Sequence, residues 1–154
     1  MPHFIQLAPA IMQDLISTFD LTPVQAAAIV GNLGTESRNF TAYHEIGQPE
    51  GKGGYGWAQW TGPRRKAFFA WADANGLPRQ SAAASLGFLE HELQTTHRHA
   101  VAVLKKKSDL HTATHSFMIH FEGPGIPNEK DRKLHASVAL QAYNQNLASQ
   151  NKGR

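Results

Sequence analysis

The residue best placed to do acid chemistry is Glu36. Ile29, Leu33 and Glu36 follow i, i+4, i+7 spacing, so one helix would carry all three on a single stripe. The Glu36 carboxyl would then point toward the apolar side, at the C-terminal end of that helix. Burial and the negative end of the helix dipole both disfavour the ionised form. A carboxyl held protonated near neutral pH can give its proton to a leaving oxygen, as cleavage of a glycosidic bond requires. The alternative is a solvated glutamate whose alignment with Ile29 and Leu33 is coincidental, because charged side chains are rarely buried without a reason.

Nine histidines invite a test for metal chemistry. His91-Glu92 opens like the helical motif of zinc proteases, but the second histidine must stand four residues on, and Thr95 occupies that position. His111 and His115 have helical ligand spacing but no third ligand to complete a site, so a packed or solvated pair is the expectation. The chain has no cysteine, which removes thiolate chemistry and any dependence on disulfides. No metal or other cofactor is expected.

Positioning Glu36 requires a frame, and 154 residues suffice for one domain with a real core. Ile5, Ala8, Met12, Leu15, Ile16 and Phe19 predict a first amphipathic helix. Thr22, Pro23 and Gln25 form a helix start, and the second helix is predicted from Pro23 to about Ser37. The glycine-rich stretch from Gly47 to Gly56 excludes a stable helix. Tyr55, Trp57 and Gln59 alternate with Gly56, Ala58 and Trp60, which predicts a short strand in a small hairpin or looped sheet. On that alternation Tyr55 and Trp57 share the face of Gln59, while Trp60 is expected in the core.

Downstream, Thr61 and Pro63 start a helix that Gly76 and Pro78 end. Ser81 starts another, carrying Leu86, Leu89 and Leu93, with one of Glu90 and Glu92 expected to face solvent. A break near Thr95 is one option ahead of the segment through Val101 and Leu104. Asp109 caps a further helix with Leu110, Ala113 and Phe117. Gly123, Pro124, Gly125 and Pro127 form a loop, and a last helix is predicted from Asn128 to about Ala148, with Asn151–Arg154 frayed. The expected fold class is α+β, mainly α: a small β-hairpin lobe against a larger helical lobe, with a cleft between them, in one domain over 1–154.

The net charge of +3 suits an anionic polymer without choosing among nucleic acid, a bacterial wall and a lipopolysaccharide surface. Lys105-Lys106-Lys107 and Arg64-Arg65 give a nucleic-acid-binding module weak support, but no helix-turn-helix or zinc-finger pattern strengthens it. No apolar run is long enough to span a bilayer, and the N-terminus lacks the pattern of a signal peptide.

A resemblance narrows the choice. Gly31-Asn32-Leu33-Gly34-Thr35-Glu36-Ser37, Phe40, and Gly54-Tyr55-Gly56-Trp57-Ala58-Gln59-Trp60 resemble the phage tail lysozyme family. Thr61-Gly62-Pro63-Arg64-Arg65, Phe88-Leu89-Glu90-His91-Glu92-Leu93, Phe121-Glu122-Gly123-Pro124-Gly125, and Arg132 with Ala136 extend it over most of the chain. The Glu-Ser pair followed by Gly-x-Gly-x-x-Gln is also similar to goose-type lysozymes and lytic transglycosylases.

The resemblance implies a lysozyme-like fold, Glu36 as general acid, and Gln59 in the sugar cleft. Tyr55 and Trp57 become candidate sugar platforms, and Glu122, with His120 two residues earlier, is placed near the cleft or holds the Gly-Pro loop; the alternative for Glu122 is a helix-end residue paired with Arg132 or another base. Glycoside hydrolysis normally uses a second carboxylate about 5 to 9 Å from the first. Glu45 is the first candidate and Glu50 the second; a transglycosylase needs neither. The expected function is a muramidase cutting the β-1,4 bond between N-acetylmuramic acid and N-acetylglucosamine, acting as a monomer on bacterial peptidoglycan. The alternatives are a lytic transglycosylase and a non-enzymatic basic domain that binds wall or nucleic acid. A phage endolysin waiting in the host cytoplasm until lysis, or a tail-associated domain, would fit.

Overall fold

The computed structural model describes residues 1–153. Helix α1 spans Pro2–Phe19 and α2 spans Pro23–Glu36. α2 begins as the sequence predicts: Thr22 Oγ1 accepts from the Gln25 N–H, and the Gln25 side chain accepts from the Thr22 N–H, closing a capping box. α3 is Gly62–Ala74, and α4 is Ala82–Gln94 with Ser81 as its cap. The chain does break at Thr95, and α5 follows over Arg98–Leu104. α6 is Leu110–Phe117, capped by Asp109, and runs into a π-helical turn, Met118–Glu122. α7 is Glu129–Lys152. The predicted frayed tail is thus helical to Lys152, and Arg154 lies outside the described residues.

α2 is the central element. It packs against α1, α6 and α7, and ten of its residues, from Gln25 to Gly34, are buried. Two glycines make the closest approaches possible. A Cβ on Gly31 would stand 2.6 Å from the Ala136 backbone nitrogen on α7. One on Gly34 would stand 2.6 Å from the Phe4 ring and 2.8 Å from His135. In α1 the buried face is carried by Phe4, Ala8, Ile11, Met12 and Leu15. Ile5, assigned to that face from its spacing, is instead 44% exposed, because Phe4 takes the position over α2.

The expected β-hairpin lobe is not borne out. Among the described residues the only pairings are isolated bridges, His44 with Tyr55 and Tyr55 with Trp60. Residues 55–60 close on themselves: Tyr55 and Trp60 exchange both backbone hydrogen bonds at 2.9 Å, and Gln59 N–H donates to the Gly56 carbonyl at 3.0 Å. Gly56 and Gln59 are left-handed, at φ 76° and 54°. A turn with two left-handed residues has no two-residue alternation, so the predicted strand faces do not exist. The fold is mainly helical, with an irregular loop from Ser37 to Thr61 lying where the hairpin lobe was expected. No helix among the described residues is long and apolar enough to cross a membrane.

Candidate active site

Glu36 ends α2, and the chain then turns through three consecutive left-handed residues, Arg38, Asn39 and Phe40, at φ 49°, 63° and 67°. Non-glycine residues in that region are strained and need the surroundings to hold them. Ser37 does so from inside: its buried hydroxyl donates to the Leu33 carbonyl at 2.6 Å and accepts from the Phe40 N–H at 2.8 Å. Phe40 stacks on Phe4, with centroids 5.2 Å apart, and Asn39 Oδ1 meets His135 Nε2 at 2.6 Å. The serine of the Glu-Ser pair is therefore the fastener that turns the chain away and leaves Glu36 at the end of its helix.

Four of the residues singled out in the sequence line one cavity of about 590 Å³: Glu36, Glu45, Gln59 and Glu122. Its walls are the end of α2, the loop before α3, the loop from Gly123 to Asn128, and α7 through Arg132. Glu45 faces Glu36's cavity from the loop. Its Oε2 accepts from the Gly54 N–H at 2.9 Å, and its own N–H donates to the Gly54 carbonyl at 2.8 Å. Gly53 and Gly54 permit this closure, since a Cβ on Gly53 would lie 2.8 Å from Glu45 Oε2 and one on Gly54 2.8 Å from Gln59 Cβ. Gln59 itself is locked by a 2.9 Å bond from its Nε2 to the Gly56 carbonyl.

The environment around Glu36 differs from the one its helical stripe predicted. Its side chain is 20% exposed, and its Oε1 accepts a hydrogen bond from the Arg132 guanidinium. Arg132 is buried; its Nε donates to the Pro127 carbonyl at 2.6 Å and its Nη1 to Asn32 Oδ1 at 3.1 Å. Asn32 is oriented in turn, because its Nδ2 donates to the carbonyls of Ala28 and Thr114. Three elements, α2, α7 and the loop before α7, thus converge on one cation beside Glu36.

The carboxyl driven toward its protonated form is Glu122. Burial comes first and the neighbouring Glu36 second in pushing it well above the usual carboxylate range, with Glu92 adding and Arg132 and Arg64 opposing. The residue is half-buried, but its Oε1 is fully buried and has no hydrogen-bond partner. Glu122 is held there by a network behind the cavity. Arg64 donates to Glu92 through Nε at 3.0 Å and Nη2 at 2.8 Å, and through Nη1 to the Phe121 carbonyl at 2.9 Å. Trp60 Nε1 donates to Glu92 Oε1 at 2.7 Å. The π-helical turn, an irregularity common at functional sites, then delivers Glu122 into the cavity.

Several expected site residues are elsewhere. Tyr55 and Trp57 are core side chains, 8% and 2% exposed, and do not line the cavity. Tyr55 packs edge-on against Phe69 while its hydroxyl accepts from Gln80, and Trp57 packs on Phe40. The reason is the turn at 55–60, which separates them from Gln59. His120 is exposed and meets His99 edge-on, 5.4 Å away, outside the cavity. Glu50 also lies outside it, its backbone carbonyl bound by Arg65. Glu90 and Glu92 are both drawn inward, contrary to the expectation of one solvent-facing residue: Glu92 is buried and Glu90 Oε1 is buried without a partner. His111 and His115 are exposed, and among the described residues no cluster of three metal-ligating side chains occurs.

Asn32 and Ser37 had no role assigned from the sequence, although both fall within motifs that carried the resemblance; Arg132 entered only as a partner for Glu122, and its guanidinium binds Glu36 instead. One signal was present for Arg132. It shares a helical stripe with His135, Ala136, Ala139 and Tyr143, which are buried, and a cation on such a stripe needs an acceptor across the interface.

No curated protein matches the chain in sequence. The family described as phage tail lysozyme matches residues 6–144, a span that contains the whole cavity just described, and the chain belongs to that family, with the lysozyme-like, peptidoglycan-degrading function it implies.

Proposed function

We propose that the protein is a muramidase that hydrolyses the β-1,4 bond between N-acetylmuramic acid and N-acetylglucosamine, with Glu36 as general acid. The observation that carries this reading is the convergence of Glu36, Glu45 and Gln59 on one cavity of about 590 Å³. In this reading Glu36 protonates the glycosidic oxygen, and the Arg132 guanidinium stabilises the carboxylate left behind. Glu45, held in place by the Gly54 N–H, stabilises the positive charge developing at the anomeric carbon. Gln59 is positioned to orient the sugar.

A lytic transglycosylase is the second reading. What favours it is that Glu45 Oε2 is already engaged by a backbone N–H, which leaves it less free to activate water. Mass spectrometry of digested peptidoglycan tests both. Reducing muramic acid ends are expected for hydrolysis, and 1,6-anhydro ends would replace it with transglycosylation. Cuts confined to the peptide stems would refute a glycosidase altogether.

A further inference from the structure

We propose that a second hollow beside the catalytic cavity binds the peptide stem carried by muramic acid, with Arg38 taking a stem carboxylate and Asp131 a stem amine. This rests on the reading of the protein as a muramidase, whose substrate bears such a stem on alternate sugars.

The hollow has a volume of about 470 Å³ and lies between the end of α2 and the start of α7. Thr35, Arg38 and Asn128 line it and also line the cavity that holds Glu36, so the two spaces share a wall. A substituent on a sugar held in the cavity would meet the hollow at that wall.

The far side of the hollow is a hydrogen-bonded framework. Thr35 Oγ1 donates to Asp131 Oδ2 at 2.8 Å, and Asn39 Oδ1 meets His135 Nε2 at 2.6 Å. His135 is buried, and its Nδ1 lies 3.2 Å from Asp131 Oδ2. These contacts fix the start of α7 against the turn that follows α2. The Asp131 side chain nevertheless stays 50% exposed where it lines the hollow.

Arg38 supplies the opposite charge. It is exposed, lines both spaces, and forms no ion pair among the described residues. Its backbone is left-handed, at φ 49°, which costs energy for a side chain other than glycine. Strain of this kind persists where the surroundings impose it, and it gathers at binding sites. Arg38 and Asp131 thus line one hollow with opposite charges that do not close on each other. A ligand that carries both charges complements such a space. A peptide stem does so, with its carboxylates and the amine of its diamino acid. A nucleic-acid strand, with anions alone, would satisfy only Arg38, and neutral N-acetyl sugars would satisfy neither.

The test compares soluble peptidoglycan strands that keep their stems with the same strands stripped of stems by an amidase. Arg38→Asn removes the guanidinium, and asparagine tolerates the left-handed backbone, so the variant is expected to fold. The wild type should prefer stem-bearing strands in kcat/KM. Arg38→Asn should lose about tenfold of that preference, through KM rather than kcat. Stripping frees the lactyl carboxylate of each muramic acid. An arginine that reads that freed group would show an increased preference for stems on mutation, and one that merely shapes the cavity an unchanged preference; either result would overturn the proposal. Acetylating the stem amines should weaken wild-type binding several-fold, and an unaffected wild type would overturn the assignment of Asp131. Sedimentation of Glu36→Gln with intact and stripped walls reads binding without cleavage. Adding Arg38→Asn should release the protein chiefly from intact walls, and retention equal to that of Glu36→Gln alone would overturn the stem site. A wild type that cuts only peptide defeats the muramidase reading, while this binding comparison still decides the hollow.

Discussion

Arg132→Met removes the cation at which α2, α7 and the loop before α7 meet. Methionine fills much of the arginine stem's volume, so the change chiefly deletes three hydrogen bonds. The acceptors left behind are the Pro127 carbonyl, Asn32 Oδ1 and Glu36 Oε1. Breaking a buried ion pair by removing one partner costs about 3–5 kcal/mol, most of it the desolvation of the stranded group. Glu36 is 20% exposed and can be partly rehydrated, which places the expectation at the lower end, about 3 kcal/mol. Set against a total stability of about 5–15 kcal/mol, that is a large loss, equivalent to about 6–12 °C in Tm for a chain of this size. Urea unfolding followed by circular dichroism measures it; the midpoint should fall with the slope unchanged. The double variant with Glu36→Gln should lose less than the sum of the two single changes, by about 1.5–3 kcal/mol, since the stranded charge is then gone. A destabilisation below about 0.5 kcal/mol, or strict additivity, would refute the reasoning.

Ser37→Ala leaves the Leu33 carbonyl and the Phe40 N–H without their buried hydroxyl partner, and chemical denaturation should show a loss of about 1–3 kcal/mol; a neutral variant would remove Ser37 as the fastener of the left-handed turn. Gly31→Ala forces a methyl into the Ala136 backbone, which cannot yield as a flexible side chain does, so the thermal midpoint should drop by an amount equivalent to about 1–3 kcal/mol. Glu90 is pushed up to about 8, first by burial and then by its neighbour Asp14. A carboxyl raised in this way contributes stability that is complete below its ordinary value and lost as pH climbs toward the folded value. Melting curves of Glu90→Gln should therefore match the wild type near pH 4 and exceed it above about pH 8, and parallel curves across that range would contradict the assignment.

Helix starts were the most legible part of the sequence, because each depends on a local bond that the residue type supplies. Thr22 with Gln25, Ser81 and Asp109 all cap the helices they were expected to cap. The segment 55–60 was misread for an equally local reason. Alternating aromatic and small residues fit a strand as well as a turn, and the left-handed backbone at Gln59, a residue with no special tolerance for it, leaves no mark in the sequence. The same holds for Arg38–Phe40, whose conformation is imposed by Ser37, Phe4 and His135.

In the site, Glu36, Glu45, Gln59 and Glu122 reach the cavity, while Tyr55, Trp57 and His120 do not. What the helical stripe around Glu36 could not reveal was the charge across the interface. Arg132 stands 96 residues away and meets Glu36 only because Gly31 lets α7 close on α2. The carboxyl whose buried oxygen lacks a hydrogen-bond partner is instead Glu122, which a π-helical turn carries into the cavity.

The most direct measurement is the loss of turbidity of purified bacterial walls incubated with Glu36→Gln, alongside circular dichroism to establish that the variant is folded. With Glu36 as general acid, the rate should fall by about 10²–10⁴-fold while the spectrum and melting behaviour remain those of a folded protein. A folded Glu36→Gln that clears walls at the wild-type rate would contradict it.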